Sequence, residues 1–301
     1  MSKLHWLALS AIPGIGGATA KRLIERFGNI EAAWNASAEE LQRIPRMTDD
    51  VVALMRAMSL EALEEELVSL IDEGIQVISW EESNYPGNLR LIGDAPPLLF
   101  VRGELSPVDD WAVAIVGSRE STSKSAEIAK TLAFKLSKRG LTIVSGLALG
   151  IDAAAHEGAL RNPQGRTIAV LGSGIRVIHP RENLALAEKI REHGALLSEL
   201  HPNAPPSGRN LMARDRIVSG MSRAVIVVEA GEKSGSLDTA GKARRQGRLV
   251  FAVPGSPGTE ALLREGAERL DAQNVDLDKL ALQISAHTSG DGKKQLSLWD
   301  S

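Results

Sequence analysis

From Trp111 to Gly255 the chain repeats one pattern. A short apolar run ends in glycine or another small residue, and a helical segment follows. The runs are WAVAIVG, LTIVSG, TIAVLG, ALLSEL, AVIVVEA and LVFAVPG. The helical segments fall near 124–138, 151–160, 182–192, 209–221, 236–246 and 258–267. Strands this apolar need cover on both faces. The alternation therefore predicts an α/β fold, an extended Rossmann-like, doubly wound parallel sheet. In such sheets ligands bind at the carboxyl ends of the strands, where this chain places its glycines.

Before the repeat stands a different block. AIPGIGGATAKRLIERFG puts a Pro-Gly-Ile-Gly turn ahead of apolar residues at helical spacing. RIPRMTDDVVALMRAM repeats that layout, with Ile44-Pro45 aligned on Ile12-Pro13. The block predicts a small all-helical domain over 1–73. A sheet domain over 74–272 and a tail over 273–301 follow it. IQVISW and PPLLFVRGEL read as further strands, and a short helix is expected near 276–284. The 301 residues include no cysteine, which removes disulfides and thiolate metal sites. The opening MSKLHWLALSAIPGIGG is too short in its apolar part for a secretory signal. No apolar run approaches the roughly 20 residues of a membrane span, so a cytoplasmic protein is expected. A net charge of −3 announces no polyanion partner in bulk, although binding needs only a local patch.

TIVSGLALGIDAAAH, Thr142 to His156, holds a serine, an aspartate and a histidine. A hydrolase triad of Ser145, Asp152 and His156 lacks the strained Gly-x-Ser-x-Gly elbow. A metal pair of Asp152 and His156 lacks a third ligand nearby. The plainer reading has Asp152 capping a helix start and His156 in a structural polar contact. VGSREST and LGSGIRV do not complete a dinucleotide fingerprint, and GEKSGSLDT places its lysine before the second glycine, unlike a P-loop. What these turns share is position: each ends a strand and starts a helix, where free N–H groups and helix dipoles attract anions. Arg119 and Lys124 flank the first turn. Arg176, Arg181 and Lys233 flank others, and Arg214 and Arg216 add charge on a later helix. Several anion-seeking turns on one edge suit a multi-phosphate ligand, most simply a nucleic-acid backbone.

The ordered stretches AIVGSRESTS, VSGLALGIDAAAHEGAL, GRTIAVLGSGIRVIHPRENLAL, GALLSEL, ARDRIVSGMSRAVIVVEAGEKSGSLDTAGKA and GRLVFAVPG closely resemble the DNA-processing protein A family over about residues 75–267. The resemblance implies a protein, not an enzyme, that binds single-stranded DNA, protects it and loads the RecA recombinase, commonly as a homodimer, with no cofactor or metal. It puts the family's Ser-Arg turn on Ser118 and Arg119, beside Gly117 and Lys124 of the first strand-end turn. The family's second loop falls on Ser145, Gly146, Gly150 and Asp152, and the strand-end reading adds Gly172, Gly174 and Arg176 as a third. Arg214 and Arg216, with Lys233, Ser234, Gly235 and Ser236, complete the expected DNA-binding set. Three positions depart from the family pattern: Asp215 for an asparagine, Ser125 for a glycine and His179 for a tyrosine.

The first block is similar to paired helix-hairpin-helix motifs. In these, the amides of Gly14 and Gly16 would face a DNA phosphate, or the module would be purely structural. At the other end, Gln295, Leu296, Ser297, Leu298 and Trp299 resemble a sliding-clamp-binding peptide. Docking of the same residues on this chain is the alternative. Two other functions compete: a clamp-tethered adaptor, and a nucleotide phosphoribohydrolase-like enzyme. The enzyme's Gly-rich loop is broken here at Asp238 and Thr239.

Overall fold

The computed structural model describes residues 2–12 and 15–287. Six helices come first: α1 (Ser2–Ala11), α2 (Gly17–Phe27), α3 (Ile30–Asn35), α4 (Ala38–Gln42), α5 (Asp49–Ala57) and α6 (Leu60–Asp72). Side-chain caps set their starts. Asn29 accepts from Ala32 N–H, Thr48 from Val51 N–H and Ser59 from Ala62 N–H. Ser37 and Glu40 form a reciprocal capping box. The second hairpin turn places a non-glycine residue in a strained conformation. Arg46, the counterpart of Gly14, adopts a left-handed φ of 75° that favours glycine.

The strands are β1 (Ile75–Ser79), β2 (Leu98–Gly103), β3 (Ala112–Val116), β4 (Thr142–Ser145), β5 (Thr167–Val170), β6 (Gly194–Ser198), β7 (Ala224–Val227), β8 (Leu249–Ala252) and β9 (Glu268–Arg269). They form one sheet in the order β1-β2-β6-β5-β4-β3-β7-β8-β9. From β6 to β9 every pairing is parallel, as the apolar runs predict. Beyond β6 the sheet departs from the all-parallel expectation, because β2 runs antiparallel to both β6 and β1. Between β1 and β2 lies only a turn-rich segment with the short helix α7 (Gly87–Arg90), too little for a crossover helix packed on the sheet.

The remaining helices are α8 (Ser123–Ser137), α9 (Ile151–Leu160), α10 (Leu184–His193), α11 (Gly208–Gly220), α12 (Gly235–Arg245), α13 (Pro257–Arg264) and α14 (Leu277–Ala286). Alternate residues of β3 serve opposite faces. Val113 and Ile115 pack with α8, α9 and α14, while Ala112, Ala114 and Val116 join the core under α11 and α12. That second core runs without a break into the helical block, through Trp6, Leu9, Leu23 and Trp34. Trp6 meets Trp80 edge to face at 5.3 Å and donates to Glu81 at 3.0 Å. Gly17 lies so close to Ala95 that a Cβ would sit 2.1 Å from its carbonyl oxygen. No described helix is long and apolar enough to cross a membrane.

Arg46 is exposed, and its backbone carries a cost that glycine avoids. Replacing Arg46 by Gly is expected to stabilise the protein by about 0.5–1 kcal/mol. Thermal melts of the two proteins check this, and an unchanged or lower Tm contradicts it.

Candidate nucleic-acid interface

β4, β5 and β6 succeed β3 on one side, and β7, β8 and β9 lie on the other. The gap between the carboxyl ends of β3 and β7 is thus the topological switch point of the sheet, where diverging loops open a crevice. A cleft of about 760 Å³ lies there. It gathers Gly117, Ser118, Arg119, Gly146, Asp152, Arg214, Lys233, Ser234, Gly235 and Ser236 from the predicted set.

The turn after β3 is held from across the switch point. Ser118 N–H donates to the Glu229 carbonyl at 2.8 Å, and Thr122 Oγ1 donates to the Glu229 carboxylate at 2.8 Å. Burial alone would raise the Glu229 carboxyl. Hydrogen bonds from Ser125 and Thr122 outweigh that and keep it below its ordinary range. The next loop meets this turn at Gly150, whose φ is 75° and whose Cβ would lie 2.3 Å from Ser118 O. Only glycine fits such an approach. Asp152 shapes that loop by accepting from Gly146 N–H at 3.1 Å and Ala148 N–H at 3.4 Å. It is not the helix cap expected from sequence: Gly150 is the cap residue of α9, without a side-chain bond.

The triad reading fails on geometry. Ser145 is buried and donates to the Ile115 carbonyl at 2.7 Å. His156 Nδ1 meets Thr167 Oγ1 at 2.7 Å. That hydroxyl gives its proton to Ile143 O, so Nδ1 carries the hydrogen. Burial, then the Arg214 charge, push the His156 pKa down to about 3 and keep the ring neutral.

Arg214 forms the floor. It is 5% exposed and donates to the carbonyls of Gly146 and Val170, at the ends of β4 and β5. A Cβ on Gly146 would overlap its guanidinium, which accounts for that glycine. Asp215 pairs with Arg214 at 3.1 Å. Burial pushes the Asp215 pKa up to about 6, reinforced by Asp152 and Asp238 and opposed by Arg214 and Lys242. At the rim, α12 starts at Gly235 with no side-chain cap, leaving its first N–H groups to the cleft. Arg119 and Lys233 are exposed there, and no hydrogen bond or ion pair engages either among the described residues.

Other predicted positions lie outside the lining, for identifiable reasons. Arg176 makes a two-pronged pair with Glu73 at the end of α6. Arg216 is held by Glu199 at 2.6 Å and Asp94 at 3.2 Å. Gly172 admits Leu211, and Gly174 packs on the His201–Pro202 backbone. Ser145 supports the loop from beneath, and Gly150 spaces it from the first turn. Lys124 is exposed on the first turn of α8. Gly16 is exposed at the start of α2. Gly14 and Gln295 to Trp299 fall outside the described residues.

The cleft also uses residues outside the DNA-binding set expected from sequence. Leu211, Asp215 and Val218 line it from one face of α11, at the i, i+4, i+7 spacing that helical periodicity could have revealed. Gly208, Met212 and Thr239 join them. Nothing local marks Glu229, since its partner Thr122 is 107 residues away.

A mostly parallel sheet with a glycine-lined crevice at its switch point, rimmed by free cations, defines a Rossmann-like protein whose crevice is suited to an anion. Comparison with known proteins narrows the class. The family profile described as DNA recombination-mediator protein A matches residues 76–280, and that of a SAM-like helix-hairpin-helix tandem matches residues 7–57. Protein Smf of Synechocystis is 36% identical over 291 residues, covering 92% of this chain and 72% of that protein. DNA processing protein DprA of Bacillus subtilis is 40% identical over 211 residues, covering 68% and 71%. The X-ray structure of DprA from Streptococcus pneumoniae superposes with a TM-score of 0.77 at 32% identity, covering 90% of this chain and 95% of that one. A DprA structure from Helicobacter pylori, described for its single-stranded DNA binding mode, gives 0.63 at 32% identity, covering 70% and 97%. The chain belongs to the DNA recombination-mediator protein A family.

The raised Asp215 pKa has a consequence for stability. Folding favours the protonated form, so this contribution is present at low pH and is lost as pH rises through about 6. Asp215→Asn removes the penalty. It is expected to stabilise the protein by about 1–3 kcal/mol at about pH 8, a gain that shrinks as pH falls toward 4. Denaturant melts across that range check it, and a pH-independent difference contradicts it.

Proposed function

We propose that this protein is a non-catalytic recombination mediator that binds single-stranded DNA by its backbone in the cleft between β3 and β7. The observation that carries this reading is the state of Arg119 and Lys233. Both are exposed at the cleft and unpaired among the described residues, beside the uncapped start of α12. Arg176, Arg214 and Arg216, by contrast, are committed to carboxylates or carbonyls. Free cations and free N–H groups around one crevice suit consecutive phosphates. The chain has few aromatic side chains, 3%, and none lines the cleft among the described residues. This favours backbone contact over base stacking on rings. The Helicobacter pylori relative, described for its single-stranded DNA binding mode, supports the same ligand.

A non-enzymatic role is supported by the commitment of Ser145, Asp152 and His156 to structural bonds. Asp238, central to the nucleotide-enzyme alternative, is tied to Lys242 at 2.6 Å. Loading of RecA onto the bound strand and action as a homodimer are proposed from family membership. Clamp recruitment through Gln295 to Trp299 is proposed from the peptide sequence alone.

Fluorescence anisotropy of a labelled single strand tests the reading. Binding is expected to weaken with salt. Arg119→Ala and Lys233→Ala are each expected to lower affinity about three- to tenfold at low salt and to flatten the salt slope by about 0.7 per lost phosphate contact. Equal competition by duplex, displacement by a nucleotide monophosphate alone, or full affinity in both variants would overturn it.

A further inference from the structure

Among the acidic side chains that line the cleft, one is withdrawn from water, is not turned onto backbone N–H groups, and works against backbone binding. Asp215 lines the same crevice as Arg119 and Lys233. Its side chain is 14% exposed, and one oxygen lies 3.1 Å from Arg214 Nε. That contact is an ion pair without hydrogen-bond geometry, and no hydrogen bond reaches either oxygen among the described residues. A carboxylate so withdrawn from water has lost much of its hydration and gains from any N–H donor that enters. Phosphates are acceptors only, so they repel it. The donors that a nucleic acid carries are on its bases.

The surroundings fit a base. Leu211 and Met212 line the cleft next to Asp215, and Met212 is 50% exposed, so an apolar wall is open to the flat face of a ring. The volume of about 760 Å³ is far more than a phosphate needs and lies in the range of sites that enclose a nucleotide. A base turned inward from a strand held at Arg119 and Lys233 brings its Watson–Crick edge to the α11 wall.

The four DNA bases differ sharply toward a carboxylate. Guanine offers two adjacent donors, N1–H and the N2 amine, matching the two oxygens. Thymine offers one N–H between two carbonyl oxygens, which a carboxylate repels. Adenine and cytosine each place an amine beside an acceptor nitrogen. We propose that Asp215 is a base-selecting residue, receiving the Watson–Crick edge of a guanine seated against Leu211 and Met212. The proposal rests on the cleft being the single-strand site and adds a base preference to it.

The test compares anisotropy of short labelled strands on the full-length protein: oligo-dT, and dT alternating with 7-deazaguanine or with inosine. 7-Deazaguanine keeps both donors and prevents quadruplexes, and inosine lacks the N2 amine. The guanine strand is expected to bind about tenfold tighter than oligo-dT, with inosine between. In Asp215→Asn, whose amide both donates and accepts, the guanine-to-thymine ratio is expected to fall toward one. Equal, salt-dependent binding of the guanine and thymine strands by the wild type overturns base selection and leaves the backbone reading standing. Absence of binding by any strand overturns both. A preference that persists unchanged in Asp215→Asn removes Asp215 as its source. Should that variant not fold, inosine binding as tightly as guanine in the wild type overturns the two-donor contact by itself.

Discussion

The buried guanidinium of Arg214 is the joint on which the cleft depends. It reaches from α11 to the carbonyls that end β4 and β5, and so fixes a helix to two strand ends at once. The contact demands glycine at 146, because any side chain would displace the guanidinium. It also sets the electrical character of the floor. A cation held there depresses the His156 pKa and stabilises the carboxylates of Asp152 and Asp215, which burial would otherwise neutralise more fully. Arg214 is thus spent on architecture. The charge available to a ligand lies above it, on Arg119 and Lys233.

That separation explains why the charge of this site differs from that of a plain basic groove. Among the described lining residues, Arg119, Arg214 and Lys233 stand against Glu120, Asp152 and Asp215. Attraction for an anion then comes from placement, not from total charge. The cations at the rim are solvated and free, whereas Asp152 is turned onto backbone N–H groups and Asp215 onto Arg214. A bulk charge of −3 is compatible with such a site.

Much of the fold was legible because it rests on local pattern. Apolar runs such as AVAIV and helix starts at Thr122 and Ser207 mark strands and helices without knowledge of their neighbours. Strand direction at β1 and β2 was not legible, since an apolar run looks the same either way and only the short connection reveals the reversal. The glycine turns pointed to the sheet edge, where the candidate cleft lies. The side chains within it were harder to assign. Arg176 and Arg216 look like Arg119 in sequence, but Glu73, Glu199 and Asp94, all distant along the chain, decide that they serve as ties. Long-range pairing, which no local window contains, is what separated structural from available charge.

The continuous core between the helical block and the sheet has a mechanical meaning. Trp6 is wedged against Trp80 and Glu81, and Gly17 is pressed on the Ala95 carbonyl. The start of α2 therefore stands at a set distance from the switch-point cleft. It is not a bead on a tether that can approach or retreat. Anything that touches both places meets a rigid ruler, and its own length and stiffness, rather than movement of the protein, decide whether it spans them.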